Sequence, residues 1–306
     1  MTIFSVLICT YNRPEMLSMA LEALIERTYE KPDQVIVVNG GDERSDCIVQ
    51  KYVVWPGIQV QLVKTVNKNL AVSRNIGLAY CTGDIVAMTD DDADVFPDWV
   101  TQMKRLHDEH PEAGGVGGMV IGAESDNSLL SRIADKIVFS SPSKATYVRT
   151  IAGVNVSYKR TALLLVGQQD ETLVRGEDVD FNWRMKLTGY EIFYSPEIKV
   201  IHHHRPTVRG LIHQFYMYGQ AYYVVRWKWP EMYSVYPHGI ATIKDALKTV
   251  NFVLRIFYQP IFQMFRFRPW YVWPVVYCIL VLSGCAWSYG VVRQWLIFTF
   301  RRFAKE

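Results

Sequence analysis

The feature that most constrains the fold is an apolar run ending in three consecutive carboxylates. Residues 85–89 read Ile-Val-Ala-Met-Thr, and Asp90, Asp91 and Asp92 follow directly. Such a run is typical of a strand buried on both faces of a sheet. Adjacent carboxylates repel one another unless a cation joins them, and ligands of open α/β sheets bind beyond the carboxyl ends of the strands. The triplet therefore predicts a site for a divalent metal and a phosphorylated ligand.

Helix capping is the alternative explanation for these acids. An Asp after a strand often caps the next helix, and Pro97-Asp98-Trp99 looks like a helix start. Capping needs one carboxylate, which Asp94 or Asp98 could supply, so it leaves most of the triplet unexplained.

Composition narrows the class of partner. A net charge of +3 is too small to indicate nucleic acid, and no nucleic-acid partner is expected. The cysteines lack paired spacing, which predicts reduced thiols in a cytosolic compartment. The first residues lack a basic stretch and a small-residue cleavage site, so no signal peptide is expected.

Strand-like and helix-like segments alternate through the first part of the chain. Apolar runs at residues 3–9, 35–38, 58–63 and 85–89 predict strands separated by helices, which indicates a parallel sheet with helices on both faces. Beyond residue 98 the pattern is mixed, and the polar segment Ser125 to Tyr147 is a candidate irregular substrate loop.

The final third has a different composition. Residues 269–292 contain no charged side chain, carry Trp and Tyr near both ends and are flanked by arginines on both sides. The segment is long enough to span a hydrocarbon core of about 30 Å. Residues 250–267 mix apolar side chains with sparse charge, as a helix lying in the interface would. The alternatives are a buried C-terminal helix and an oligomer interface; whether the segment spans the membrane, its orientation and the oligomeric state stay open.

Polar segments follow several of the predicted strands. They are Thr10-Tyr11-Asn12-Arg13, Asn39-Gly40-Gly41-Asp42, Arg74-Asn75 at a helix start, and the Asp triplet. The carboxyl ends of parallel strands share one edge of a sheet, so these segments are expected to meet in a nucleotide site.

Two further acidic and basic segments could join that site. Glu177-Asp178-Val179-Asp180 opens a predicted helix, where acids are common for purely electrostatic reasons. His202-His203-His204-Arg205 follows a predicted strand, and adjacent side chains on an extended chain point different ways. At most two of these histidines can face one ion, and a loop histidine without a metal is the alternative.

With these segments the chain resembles the family 2 glycosyltransferases of the GT-A fold. The resemblance covers residues 3–220 and includes Gly153-Val154-Asn155 as well as the segments above. It implies an inverting transfer of a sugar from a nucleotide-diphosphate donor to an acceptor hydroxyl, with Mn²⁺ or Mg²⁺ as the cofactor. One departure is plain: this family commonly has an Asp reading the nucleoside where this chain has Asn39, which leaves the base open.

The resemblance also implies individual roles. Asp90, Asp92 and His202 are the expected metal ligands, while Asp91 orients the loop or touches the ribose. Asp178 is the expected catalytic base, with Asp180 as its competitor, and Glu177 would hold the acceptor or sugar hydroxyls. The remaining expected donor contacts are Thr10, Tyr11, Asn12, Arg13, Asn39, Arg74, Asn75 and Asn155.

These expectations define an α/β protein with a GT-A fold, a Rossmann-like mixed sheet and a C-terminal membrane-associated helical region. Residues 1–95 would form the nucleotide-sugar half, 96–220 the acceptor half and 221–306 the membrane-associated helices.

The expected function is a glycosyltransferase at the cytosolic face of the cell membrane, acting on a lipid-linked or membrane-proximal glycan. Gln220 and Arg226-Trp227 are too far apart for the Gln-x-x-Arg-Trp motif of processive synthases, which favours transfer of single sugars. A sugar-phosphate nucleotidyltransferase and a non-catalytic membrane subunit of a glycan pathway are the alternatives.

Overall fold

The computed structural model describes residues 2–123, 128–138, 142–203, 207–232 and 242–303. The chain divides into two compact units, residues 1–204 and 205–306. The two units are described separately below.

The first unit begins with alternating strands and helices, as the apolar periodicity predicts. These are β1 (Phe4–Thr10), α1 (Pro14–Leu21), β2 (Gln34–Asn39), α2 (Glu43–Gln50), β3 (Gln59–Lys64), α3 (Leu70–Leu78) and β4 (Ile85–Asp90). A π-helical turn, Glu22–Glu26, continues α1. Pro14 lies at the start of α1, where its missing N–H costs no hydrogen bond.

The rest of the first unit completes a mixed sheet. Its elements are β5 (Ala93–Val95), α4 (Trp99–Glu109), β6 (Ala113–Gly122), α5 (Leu129–Val138), β7 (Thr146–Val148), β8 (Val156–Lys159), α6 (Arg160–Val166), α7 (Glu177–Leu187) and β9 (Glu191–His202). The strand order is β3-β2-β1-β4-β8-β6-β9-β5, and β7 pairs with β9. β1 to β4 are mutually parallel, whereas β8 runs antiparallel to both β4 and β6.

Helices cover both faces of this sheet, because successive strand side chains point to opposite sides. Phe4, Val6 and Ile8 pack with α1, α2 and α4 on one face. Leu7 and its neighbours pack with α3, α6 and α7 on the other. The parallel register places Thr10 beside Asn39 and Cys9 beside Asp90, so the strand ends meet at one edge as expected.

The structure adds detail to two sequence-based expectations. The segment Ser125 to Tyr147, predicted to be irregular in part, contains α5 and the start of β7, while residues 124–127 and 139–141 lie outside the described residues. The predicted boundary at residue 220 falls inside a continuous helix, and the second compact unit starts at residue 205. The division of the first unit into donor and acceptor halves stays a prediction.

The second unit is helical. It comprises α8 (Val208–Lys228), α9 (Ile243–Met264) and α10 (Trp273–Phe303), with short 3₁₀ turns at Pro230–Met232 and Trp270–Val272. Glycines allow close approach of the helix backbones. A Cβ added to Gly219 of α8 would overlap the Trp287 carbonyl oxygen of α10, whereas one added to Gly284 would lie 3.0 Å from the Ile256 side chain.

Gly219→Ala is therefore expected to push α8 away from α10 and to destabilise the second unit by about 1–3 kcal/mol, the usual cost of overpacking. Gly284→Ala is the matched control, because its new methyl group meets a side-chain atom that can shift by a few tenths of an ångström. Thermal unfolding of the full chain in detergent measures both. Equal midpoints for the two variants would contradict the close backbone contact.

Candidate active site

The Asp triplet lies at the carboxyl end of β4, and its three side chains have different partners. Thr10 Oγ1 donates to Asp91 Oδ2 at 2.7 Å. Arg13 Nη1 donates to Asp91 Oδ1 at 3.0 Å and to Asp92 Oδ2 at 2.7 Å. His202 Nε2 lies 3.3 Å from Asp92 Oδ1. Segments far apart in sequence therefore compensate the charge that the triplet concentrates.

Different partners give two of these buried carboxylates opposite pKa shifts. Burial raises the pKa of Asp91 to about 6, although the charge of Arg13 opposes the shift. Burial also works against ionised Asp92, but its hydrogen bond with His202 and the charges of His202 and Arg13 outweigh it and lower its pKa. For His202, burial favours the neutral ring, yet the contact with Asp92 raises its pKa overall.

The ligand atoms of Asp90, Asp92 and His202 converge. One atom from each of these side chains lies within 4.8 Å of the others. Two carboxylates and an imidazole form a donor set suited to Mn²⁺, and Mg²⁺ accepts the carboxylates. These are the three residues expected as metal ligands, and their geometry fits a divalent cation.

Arg74 links the triplet to the start of α7. Its Nη2 donates to Asp90 Oδ1 at 3.2 Å, and its Nη1 donates to Glu177 Oε1 at 3.1 Å. The Arg74 side chain is 4% exposed and that of Glu177 is 7% exposed. Burial lowers the pKa of Arg74, but the two carboxylates outweigh this effect and the net direction is upward. Arg74, an expected donor contact, lies between two protein carboxylates.

The paired acids of α7 are in different environments. Burial, reinforced by the charge of Asp178, raises the pKa of Glu177 to about 7 while Arg74 opposes the shift. Glu177 Oε1 accepts from Arg74, and the contact of Glu177 with acceptor or sugar hydroxyls stays a prediction. Asp178 is half-buried and accepts hydrogen bonds from Val179 N at 2.8 Å and Gly153 N at 3.2 Å.

Asp180, the competitor for the base, is fully buried. Its Oδ2 accepts a hydrogen bond from Arg184 Nε at 2.9 Å. The same guanidinium donates to the carbonyl oxygens of Val166 and Gln168, each at 2.8 Å. Asp180 thus anchors the segment before α7. The i,i+4 spacing of Asp180 and Arg184 is the sequence signal that could have identified this ion pair.

The Asn39 side chain is bonded to protein groups, and its contact with a nucleoside stays a prediction. Asn39 is 1% exposed, its Nδ2 donates to Asp42 O at 2.8 Å and Asp46 Oδ1 at 2.7 Å, and its Oδ1 accepts from Gly41 N at 2.7 Å. The amide shapes the turn between β2 and α2. The neighbouring Asn12, at φ 53°, accepts a hydrogen bond from Asp42 N and connects the turns after β1 and β2.

Asn75 and Asn155 are also bonded to protein groups, and their nucleotide and sugar contacts stay predictions. Asn75 exchanges hydrogen bonds with the backbone of Gln169 and donates to Glu171 Oε1. Asn155 is fully buried; its Oδ1 accepts from Trp99 Nε1 at 2.8 Å, and its Nδ2 donates to the carbonyl oxygens of Met119 and Ile198. Both N–H donors of each amide are used by protein groups.

Tyr11 is exposed, whereas His203 lies near an acid. Tyr11 is 50% exposed beside the triplet and could contact a donor. His203 Nε2 lies 3.5 Å from Asp94 Oδ2, to which Arg27 also approaches, and sequence reasoning missed this pairing of Asp94. His204 and Arg205 lie outside the described residues.

Comparison with known proteins decides the family. The family described as Glycosyl transferase family 2 matches residues 5–162, more than half of the chain, and Glycosyl transferase family group 2 matches residues 85–297. The chain belongs to the family 2 glycosyltransferases. It is therefore a glycosyltransferase of nucleotide sugars, and the nucleotidyltransferase alternative is not supported.

Individual relatives agree with this family. A glucosyl-dolichyl phosphate glucuronosyltransferase of Haloferax volcanii is 29% identical over 216 residues, covering 65% of this chain and 68% of the relative. A pre-mycofactocin glycosyltransferase of Mycobacterium tuberculosis is 31% identical over 163 residues, covering 50% of this chain and 34% of the relative. The chain thus spans about a third of this second relative's length.

A solved structure agrees with the fold. A mannosyltransferase from Pyrobaculum calidifontis, in complex with GDP-Man and Mn²⁺, superposes with a TM-score of 0.61 at 16% identity, covering 93% of this chain and 86% of that one. At this identity the likeness shows the GT-A fold alone.

The structural role of Asn155 is testable. Asn155→Ala removes three hydrogen bonds and leaves buried groups without partners, so it should lower the free energy of unfolding by about 2–4 kcal/mol. The KM of the folded fraction for the nucleotide sugar should stay within about twofold of wild type, because the amide is bonded to protein groups. Chemical denaturation and donor titration measure the two quantities, with the exposed Asn67→Ala as the control. A stable variant with a strongly raised KM would indicate that Asn155 contacts the sugar.

Proposed function

We propose that this protein is an inverting, metal-dependent glycosyltransferase that works at the cytosolic face of a membrane on a lipid-linked or membrane-proximal acceptor. The observation that carries the proposal is the convergence of Asp90, Asp92 and His202 within 4.8 Å, with Arg74 joining Asp90 to the start of α7. Arg74 thereby connects Asp90, in the candidate metal site, with Glu177, the residue next to the half-buried Asp178.

Asp90, Asp92 and His202 would hold Mn²⁺ or Mg²⁺. The bound cation supplies positive charge that stabilises the departing nucleoside diphosphate. The contact of His202 with Asp92 orients the imidazole and keeps both side chains at the strand ends that carry them. Metal dependence in this chain rests on that donor set.

Asp178 is the candidate general base. Its carboxylate is held by two backbone N–H groups, is half-buried, and lies in the first turn of α7, where the helix dipole favours negative charge. In the transfer, an acceptor hydroxyl gives its proton to Asp178 as its oxygen bonds to the anomeric carbon. The bond from that carbon to the diphosphate oxygen breaks, and the diphosphate leaves with the electron pair. A single displacement of this kind inverts the anomeric configuration.

The donor nucleotide would lie against the turns after β1 and β2. Tyr11 offers an exposed ring for a base or sugar, and Arg13 lies near the diphosphate position while it holds Asp91 and Asp92. Asn12 fixes the shape of this turn through Asp42. These contacts would favour a nucleotide, but they do not specify which base it carries.

Membrane association rests on the second unit. Among the described residues, the segment Trp270–Phe300 is long and apolar enough to cross a membrane, with 28% of its most apolar stretch buried. α9 adds a row of exposed apolar side chains spaced three or four residues apart, as an interfacial helix would have. They are Ile243, Leu247, Val250, Leu254, Phe257 and Ile261.

A lipid-linked acceptor would suit this location. The Haloferax volcanii relative is named as an enzyme acting on a glucosyl-dolichyl phosphate, which is a lipid-linked sugar. The spacing of Gln220 and Arg226-Trp227 supports transfer of single sugars.

The assignment of base and metal ligands predicts different defects. Asp178→Asn should lower kcat by about 10²–10⁴-fold with nearly unchanged nucleotide affinity, since it removes the proton acceptor alone. Asp92→Ala should weaken Mn²⁺-dependent nucleotide binding, and EDTA should abolish turnover until Mn²⁺ is restored. Release of nucleoside diphosphate and calorimetric Mn²⁺ titration measure these effects, with the exposed Asp108→Asn as the control.

Retention of most activity by Asp178→Asn would show that the base is a different group. Release of pyrophosphate would indicate nucleotidyl transfer. No turnover with any nucleotide sugar and membrane lipid would indicate a non-catalytic subunit.

Membrane insertion of α10 is tested with Leu282→Arg. Leu282 lies inside the apolar segment and is 49% exposed, so a charge there should oppose insertion by about 2.5–3.5 kcal/mol. The expected result is a shift of the protein from the carbonate-resistant membrane fraction to the soluble fraction. Leu282→Ala should stay in the membrane. Identical fractionation of both variants would point to a helix that packs on protein instead.

A further inference from the structure

Arg74 has an unusual position for a cation beside a diphosphate site. Its guanidinium is 4% exposed, and its two terminal nitrogens each donate to a different carboxylate, Asp90 at 3.2 Å and Glu177 at 3.1 Å. Asp90 closes β4, whereas Glu177 opens α7 in a distant part of the chain. A planar guanidinium with fixed donor geometry suits such a bridge, because both bonds hold their angle at once.

Gly153 seats this bridge. A Cβ at Gly153 would lie 2.7 Å from Arg74 Nη1 and 2.8 Å from Nη2, so only glycine leaves room for the guanidinium. The N–H of the same residue donates to Asp178 Oδ2 at 3.2 Å. Arg74 therefore holds Glu177, and Gly153 holds the adjacent Asp178.

We propose that Arg74, seated on Gly153, is a positioning residue that fixes Glu177-Asp178 relative to the metal carboxylate Asp90. Arg74 sets the distance between the acceptor-side base and the cation-bound donor, and it does not bind the diphosphate. The inference rests on the proposed function for the role of Asp178, whereas the bridge itself rests on the contacts of Arg74.

A bridging Arg74 and a diphosphate-binding Arg74 would affect metal binding differently. Arg74 places a positive charge on Asp90 and competes there with a divalent cation. Removing that charge should strengthen binding of the metal, whereas loss of a diphosphate contact would weaken binding of the nucleotide.

The test uses the full-length protein in detergent, with Mn²⁺ alone as the first probe. Arg74→Gln should bind Mn²⁺ roughly threefold to tenfold more tightly than wild type, because one cation near the site is gone. The Mn²⁺-dependent affinities for UDP and GDP should not fall. The exposed Arg44→Gln, with a side chain 69% exposed, is the charge-matched control and should leave Mn²⁺ affinity unchanged.

The second readout is the division between kcat and donor KM. Arg74→Gln and Gly153→Ala should each lower kcat by roughly 10²-fold while donor KM stays within about threefold, since misplacing a reacting group by about 1 Å costs that much. Arg74→Lys should recover part of the kcat, because an ammonium keeps the positive charge but lacks the planar, fixed donor geometry of the guanidinium. Gly153→Ala keeps the arginine, so it tests the bridge even if Arg74→Gln folds poorly.

Weaker or unchanged Mn²⁺ binding by Arg74→Gln, or a loss confined to UDP and GDP affinity, would overturn the inference. Donor KM rising with kcat unchanged in Gly153→Ala would do so as well. A wild-type protein with no turnover would refute the proposed function alone, and the Mn²⁺ titration would still decide whether Arg74 neutralises Asp90.

Discussion

Mutual repulsion among carboxylates is the constraint on which this structure depends. Asp90, Asp91 and Asp92 follow one strand, and the fold brings Glu177 and Asp178 toward the same end of the sheet through Arg74 and Gly153. Acids held this close cannot all remain ionised in a partly buried site without cations. Arg13 and Arg74 supply protein cations, and the geometry of the triplet and His202 leaves a place for a divalent one. Turns from separate parts of the chain are therefore held together by charge.

That constraint explains why similar side chains do different work. Burial raises the pKa of Asp91 to about 6 even though Thr10 and Arg13 oppose the shift, whereas Asp92 faces His202 and has a lowered pKa. Glu177 is buried against Arg74, while its neighbour Asp178 stays half-buried and is held only by backbone N–H groups. Burial and partners thus give adjacent acids different environments.

The central strands and their order of polar ends were predictable, because apolar runs and strand-end residues are local signals. The roles of the asparagines were not. Asn39, Asn75 and Asn155 lie in the motifs that suggested ligand contacts, yet each is buried and bonded to protein groups. An amide is suited to a turn, a ligand or a buried backbone group alike. For Asn75 and Asn155 the partners include groups more than fifty residues away, such as Gln169 and Trp99.

The sequence by itself determined the buried parallel strands, the carboxylate triplet at a strand end, the apolar C-terminal segment and the resemblance to a glycosyltransferase family, since each is written in short-range pattern and composition. Only the tertiary structure decided that Arg74 bridges Asp90 and Glu177, that Asp180 is committed to Arg184, and that α8 belongs to the helical unit. The physical reason is that a charge or an amide is defined by what surrounds it after folding. Periodicity records which face of an element is buried, but it does not record which distant group lies opposite.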